Sequence, residues 1–275
     1  MEEIIYSDRK TGCLPRNGNM NLYFLGDTHY PRGERETFLE TIEKIQRDKC
    51  GFMVFMGDAV EGITHHDPRY SPEETADYLS RYNGRMMNMV SEQYALWEED
   101  IGGLADTGRI HGIFGGNHES SQIRYQAVNE LRRICARHGV KYLGDGYAII
   151  VYNFGRIGRQ LIVLGSHGVG GGTTSGYVLS RLEEDARKVR GADIVVRGHH
   201  HKLITSSHIP GLDIVPGGGV EASGQWLGCT GSFLSNYKMG VSDYGERKQF
   251  HPLPIGYLVA EIRGGVVSRF YEVQV

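Results

Sequence analysis

Asn21-Leu22-Tyr23-Phe24-Leu25-Gly26-Asp27-Thr28-His29 sets the reading of this chain. Its apolar run has the length and aromatic content of a buried strand, and it stops at a glycine followed by a carboxylate and an imidazole. Side chains two residues apart at a strand's end can turn toward one point. A single Asp-x-His is weak evidence, because capping roles and chance produce it often. Four later segments repeat the arrangement. Gly57-Asp58 follows an apolar run at 52–56, and Gly115-Gly116-Asn117-His118-Glu119 follows 110–114. Ser166-His167-Gly168 follows 160–164, and Arg197-Gly198-His199-His200-His201 follows 193–196. Five strand ends that each present Asp, Asn or His describe a dinuclear metal site.

The segments between these runs predict the architecture. Phe38, Ile42 and Ile45 recur at helical spacing, giving an amphipathic helix over 34–49 that ends at Cys50-Gly51. A long helix is expected over 73–97, another through Ile123, Ala127, Leu131 and Ile134, and a third over 177–190. Further strands are expected at 147–153, 203–208, 212–216, 256–262 and 266–273. Residues 1–19 read as a polar arm, and 217–254 as an irregular aromatic-rich segment within one domain spanning 1–275. Such a rhythm predicts two sheets packed face to face with helices outside. Ligands in α/β sheets collect beyond the carboxyl ends of strands, where all five segments lie.

The composition bounds the function from the other side. With 275 residues, 40% hydrophobic and 23% charged, the chain can bury a substantial core. A formal net charge of −3 gives no whole-molecule attraction to polyanions, although bound cations would reverse the field locally. Cys13, Cys50, Cys135 and Cys229 lack Cys-x-x-Cys spacing and read as free thiols in a reducing compartment. The start of the chain is too acidic for a signal peptide, and no apolar run nears the roughly 20 residues that span a bilayer. A cytoplasmic protein without a membrane partner is expected. Oxygen donors mixed with imidazoles, and no thiolate among them, suit Mn²⁺, Fe or Zn²⁺ over calcium or copper.

Gly-Asp-Thr-His, Gly-Asp-Ala, Gly-Asn-His-Glu, Ser-His-Gly and Gly-His-His-His, in this order over about residues 22–201, resemble the motifs of calcineurin-like metallophosphoesterases. The resemblance implies a four-layered α/β/β/α sandwich of two mixed sheets flanked by helices. It also implies two divalent metal ions, Mn²⁺ foremost, with Fe, Zn, Ni and Mg as the other candidates. Asp27, His29, Asp58 and His201 would hold the first ion; Asp58, Asn117, His167 and His199 would hold the second, with Asp58 bridging. His118 would stand beside the pair as a catalytic and substrate-binding group, Asp58 would share in catalysis, and Arg197 would add a phosphate contact. The implied activity is hydrolysis of phosphodiester bonds of nucleotides or nucleic acids by a metal-activated water. A phosphomonoesterase is the enzymatic alternative, and a non-catalytic scaffold is the other. Subunit number is left open, a homodimer included.

Within the family, protein Ser/Thr phosphatases continue the second motif into Asp-Arg-Gly, whereas Gly57-Asp58-Ala59-Val60-Glu61-Gly62 has no arginine. They also lack the histidine found here as His201. The chain therefore resembles the branch of phosphodiesterases and Mre11-like exonucleases more closely, though Glu119 stands where that exonuclease pattern has Asp. Other features carry blander readings. His65 and His66 are loop histidines that could reach substrate; His111, His138, His208 and His251 read as structural or surface. Gly170-Gly171-Gly172-Thr173-Thr174-Ser175-Gly176 lacks the Lys-Ser/Thr of a P-loop and reads as a mobile loop or lid. Met86, Met87 and Met89 read as core packing. Trp226, Phe233, Tyr237, Tyr244 and Phe250, beside Lys238, Arg247 and Lys248, would suit nucleobase stacking as well as they suit a packed tail.

Overall fold

The computed structural model describes residues 1–7, 14–62, 72, 80–84, 89–126, 129–172, 174–214, 219–235 and 252–275. The strands are β1 (Glu2–Ser7), β2 (Met20–Leu25), β3 (Gly51–Phe55), β4 (Ile110–Ile113), β5 (Tyr147–Phe154), β6 (Arg159–Ser166), β7 (Ile194–Arg197), β8 (Leu203–Ile214), β9 (Val220–Thr230), β10 (Gly256–Arg263) and β11 (Val266–Gln274). Among the described residues the helices with both ends defined are α1 (Arg35–Arg47), α2 (Val90–Ala105), α3 (Asn117–Gln126), α4 (Glu130–Arg137) and α5 (Ser175–Lys188). One sheet runs β11-β10-β2-β3-β4 and the other β1-β5-β6-β7-β9-β8. Both are mixed: β2, β3 and β4 are parallel, and β10 joins them antiparallel. In the other sheet β6, β7 and β9 are parallel neighbours, while β5 and β8 pair antiparallel with β6 and β9.

Three cores explain the stacking. Strand alternation sends Leu22, Phe24 and Val54 to one face and Tyr23, Leu25, Met53 and Phe55 to the other. The first set meets Ile150, Val163, Ile194 and Val196 of the second sheet, forming the inter-sheet core. The other set packs on Phe38, Ile42 and Ile45 of α1, Trp97, Ile101 and Leu104 of α2, and Leu131 and Ile134 of α4. Across the molecule, Leu164, Val195 and Leu227 pack on Val178, Leu182 and Ala186 of α5. Helix, sheet, sheet, helix is the order, as expected for the metallophosphoesterase sandwich. Strands buried on both faces carry no alternation, and burial of each large apolar side chain stabilises by about 1.5–3 kcal/mol.

Several expectations are corrected. The helix placed over 73–97 is interrupted: Pro72, Ser80 and Arg81 are helical, Tyr82-Asn83-Gly84 makes a turn with Asn83 and Gly84 at positive φ, and α2 starts at Val90 and runs on to Ala105. Residues 73–79 and 85–88, which include Met86 and Met87, lie outside the described residues. The helix drawn through Ile123 and Ile134 is two, and Asn129 caps the second by accepting from Arg132 N at 2.8 Å. The arm contains β1, which pairs parallel with β5 as an edge strand. The segment 217–254 contains β9, seated in the middle of the second sheet beside β7. Among the described residues no helix is long and apolar enough to cross a membrane.

Candidate metal centre

Strands β2, β3, β4, β6 and β7 end on the same side of the sandwich, and each runs into one of the five polar turns. The turns depend on backbone that side chains rarely adopt. Asp27, His29, Asp58, His199 and His201 all have φ between 47° and 69°, in the left-handed region, and Asn83 completes the set of such non-glycine residues among those described. Each costs on the order of 1–3 kcal/mol, and strain of this kind gathers where side chains must be aimed. Neighbouring turns hold one another in place. Asp27 N donates to Gly57 O at 2.9 Å, His29 N to Asp58 O at 3.1 Å, and Phe233 N to Asp27 O at 3.1 Å. Gly116 permits the closest approach, since a Cβ there would meet Asp58 Oδ1.

The ligand atoms form overlapping triads: Asp27, His29 and His201; Asp58, His167 and His199; and His29, Asp58 and His118, with the atoms of each triad within 4.8 Å of one another. Asp27 Oδ1 lies 3.2 Å from His201 Nε2 and 3.9 Å from His29 Nε2. Asp58 Oδ2 lies 3.2 Å from His167 Nε2, 3.9 Å from His118 Nε2 and 4.0 Å from His29 Nε2, so it stands between the triads. Asn117 Oδ1 joins the second triad, 2.7 Å from His199 Nδ1 and 3.1 Å from His167 Nε2. Asp27, His29, Asp58 and His167 are buried.

The outer nitrogens are already committed. His29 Nδ1 donates to Glu61 Oε2 at 2.9 Å, His167 Nδ1 to Met56 O at 2.7 Å, His118 Nδ1 to Glu61 O at 2.6 Å, and His199 Nε2 to Gly170 O at 2.8 Å. Each bond places an N–H on the outer nitrogen, so the inward nitrogen is the one that can offer a lone pair, the arrangement that metal-binding imidazoles require. His29 Nε2 and His201 Nε2 face each other at 3.0 Å beside the Asp27 carboxylate. Inward lone pairs and two buried carboxylates fit divalent cations of the Mn²⁺, Fe or Zn²⁺ kind, with Asp27, His29, Asp58, Asn117, His167, His199 and His201 as the residues that could hold them.

The electrostatics describe a cluster of opposite charges: burial opposes protonation of His167, but Asp58 and then Asp27 outweigh it and push the ring up to about 10. Burial opposes ionisation of Asp58, yet His167, His118 and His29 outweigh it and hold the carboxyl well below its ordinary range. Asp27 is likewise lowered against burial, chiefly by His201. His29 is lowered, first by burial and then by His118 and His201, which keeps its ring neutral and available.

Two functional carboxylates were not singled out from the sequence. Glu119, 1% exposed, accepts from Asp58 N and Ala59 N at 3.0 Å and from Gly116 N at 2.7 Å, clamping the second and third turns together. Burial and then Asp58 push its carboxyl up to about 7. Glu61 grips His29 and also accepts from Arg32 Nη1 at 3.1 Å. The signal was position: both acids follow a motif residue within three places.

His118 lies at the centre, whereas Arg197 is seated in the interior with Nη1 3.5 Å from Asp185 Oδ2. His111 is buried, stacked 4.4 Å from both Tyr6 and Phe52, and His138 binds Glu98 and Asp106; both are structural, as expected. Of the aromatics offered for base stacking, Phe233 is buried 5.2 Å from Phe38 and Trp226 packs edge-on to Phe270. Residues 236–251 and His65 and His66 lie outside the described residues.

Comparisons with known proteins follow the same lines. No curated protein matches the chain. Solved structures similar to it include Vps29 from Cryptosporidium parvum, at 14% identity and TM-score 0.41, covering 94% of this chain and 100% of that one. Another is Vps29 from Entamoeba histolytica complexed with Zn²⁺, at 14% identity and TM-score 0.38, covering 93% of this chain and 98% of that one. A third, described as a novel phosphatase from Mycoplasma pneumoniae, is 11% identical with TM-score 0.43, covering 94% and 93%. The model of the calcineurin-like phosphoesterases matches residues 20–203, more than half of the chain and all five turns. The chain belongs to the calcineurin-like phosphoesterase family.

Proposed function

We propose that the chain is a dinuclear metal-dependent hydrolase of phosphodiester bonds in nucleotides or nucleic acids. The observation that carries this reading is the convergence of two triads on Asp58, built from turns with left-handed backbone at non-glycine residues. In this assignment Asp27, His29, Asp58 and His201 hold one ion, and Asp58, Asn117, His167 and His199 hold the other. Two such ions, Mn²⁺ foremost, would activate a water and neutralise the non-bridging oxygens of the ester.

The chain's own residues do the rest. Glu61 and Met56 O keep His29 and His167 in the tautomers that present Nε2 inward. Glu119 holds Asp58 and the Asn117 turn in register. His118 is anchored through Nδ1, so its Nε2, when protonated, delivers a proton to the leaving oxygen. The preference for diesters rests on the sequence: Gly57-Asp58-Ala59-Val60-Glu61-Gly62 lacks the arginine with which protein phosphatases continue this motif, and His201 is present. Val60 is buried core, while the position after it supplies Glu61 to His29.

Turnover of a bis-aryl and a mono-aryl phosphate with added Mn²⁺ tests the proposal. The diester should turn over faster, and His118→Gln should lower kcat by about 10²–10⁴-fold with ion content unchanged. Equal turnover in the variant excludes the proton-transfer role, and faster monoester cleavage overturns the diester assignment.

A further inference from the structure

A second polar cluster lies behind the turn that carries His199 and His201, and nothing in the metal centre uses it. Arg197 ends β7 on the face that α5 covers; it is 1% exposed, and neither Nε nor Nη1 has a hydrogen-bond partner. Its carboxylate contact, Asp185 Oδ2 at 3.5 Å from Nη1, is an ion pair without a hydrogen bond. Asp185 also takes Lys188 Nζ at 2.7 Å and the Tyr147 hydroxyl at 2.6 Å, so one carboxylate serves two cations. His200, 9% exposed, has no partner at either ring nitrogen, and its ring lies 5.7 Å from that of Tyr177.

The Gly168–Gly172 turn closes over this cluster. A Cβ on Gly168 would lie 2.7 Å from Arg197 Nη2 and 2.8 Å from Nε, and one on Gly170 would lie 2.5 Å from the Tyr177 hydroxyl. Gly168 and Gly170 have φ of 96° and 107°, and Val169, Gly170 and Gly171 are exposed on the outer side. Only glycine adopts such backbone freely, and that freedom lets the turn lift. Buried donors without acceptors are rare and costly, above all on a charged group. The unsatisfied set comprises Arg197 Nε–H and Nη1–H and one N–H of His200, against one acceptor nitrogen. A donor-rich, positively charged set matches neither a metal cation nor an apolar guest. The guanidinium fork is shaped for a tetrahedral oxyanion.

We infer that Arg197 and His200 form a phosphate-group subsite beneath the Gly168–Gly172 turn, behind the metal centre and sharing with it the turn whose Gly170 O holds His199. It takes free inorganic phosphate or the phosphate of a nucleotide, and the turn uncovers it by lifting. The subsite needs no metal ion, so it stands or falls apart from the hydrolytic reading.

The test is calorimetric titration of inorganic phosphate, and in parallel of a nucleoside 5′-monophosphate, into the full chain after chelation of metals. Saturable binding is expected, weakened about tenfold in Arg197→Met and tightened severalfold in Asp185→Asn, which removes the competing carboxylate. Arg197→Lys, which keeps the charge and loses the fork, should fall between. It carries the test if Arg197→Met does not fold. Tighter binding of the nucleotide identifies it as the source, and equal binding identifies free phosphate. No binding to the chelated protein, or one affinity in all variants, overturns the subsite.

Discussion

The first sheet presents Asp27, His29, Asp58 and Asn117 from the ends of β2, β3 and β4, three parallel neighbours, whereas the second presents His167, His199 and His201 from β6 and β7. The first group is braced on several sides. Backbone bonds tie the Asp27 turn to the Asp58 turn, Glu119 ties the Asp58 turn to Gly116, and α1, α2 and α4 cover the strands behind. The second group is held more lightly. Gly198 N donates to His167 O at 3.1 Å, His199 N leans on the Asp27 carboxylate, and the His199 ring is steadied by Gly170 O of an exposed glycine turn. One half of the centre is thus a rigid oxygen-rich frame, and the other is an imidazole flank whose order depends on a deformable turn. On this contrast, metal affinity should depend unequally on the two parts of the chain.

The largest effect is expected where the halves meet. Asp58 lies between both groups, so Asp58→Asn should abolish turnover and leave less than one ion per chain by elemental analysis. Retention of one full ion on the oxygen-rich side alone would show that Asp58 serves only one half. Glu119→Ala comes next. Its carboxylate touches no triad atom, but its loss leaves three buried N–H groups without an acceptor, a penalty of about 3 kcal/mol in all. In a chain of this size that is roughly 6–12 °C in Tm. Metal affinity should fall by about 100-fold, since groups that orient ligands carry effects of that size. An unchanged affinity with a lowered Tm would make the clamp structural and would weaken the idea of a rigid frame.

The sequence revealed the ligands of both halves, and less of what holds them. The ends of β2, β3 and β4 were legible because apolar strands buried on both faces stop abruptly at a glycine and a polar residue. The order of motifs then gave the four layers. What the sequence concealed was held by partners distant in the chain. Strand β9 mixes Gly224, Gln225 and Gly228 with Trp226, so no alternation marks it; pairing with β7, Ile194 against Trp226, makes it a strand. Strand β1 opens on Glu2 and Glu3 and exists through its ladder with β5. Arg197 follows Ile194-Val195-Val196 and reads as a phosphate contact beside the last motif; only the fold shows it buried against Asp185 of α5. Glu119 was visible as a residue, but its three backbone donors come from two different turns and are a property of the fold.

Gly170→Ala should have the smallest effect, and it tests the flank directly. At φ 107° a side chain is strained by about 1–3 kcal/mol, and the added Cβ would lie 2.5 Å from the Tyr177 hydroxyl, so the exposed turn should shift. His199 Nε2 then loses the carbonyl that fixes its tautomer, and Nδ1 is no longer committed to the centre. Because the turn can move without disturbing any core, Tm should change less than in Glu119→Ala. The cost should appear in the ion that Asp58, Asn117, His167 and His199 share, as an affinity loss of about tenfold, with the other ion unaffected. Calorimetric titration of Mn²⁺ into chelated protein resolves the two. Equal weakening of both ions would mean that the flank and the frame move as one body, and the contrast drawn between them would fail.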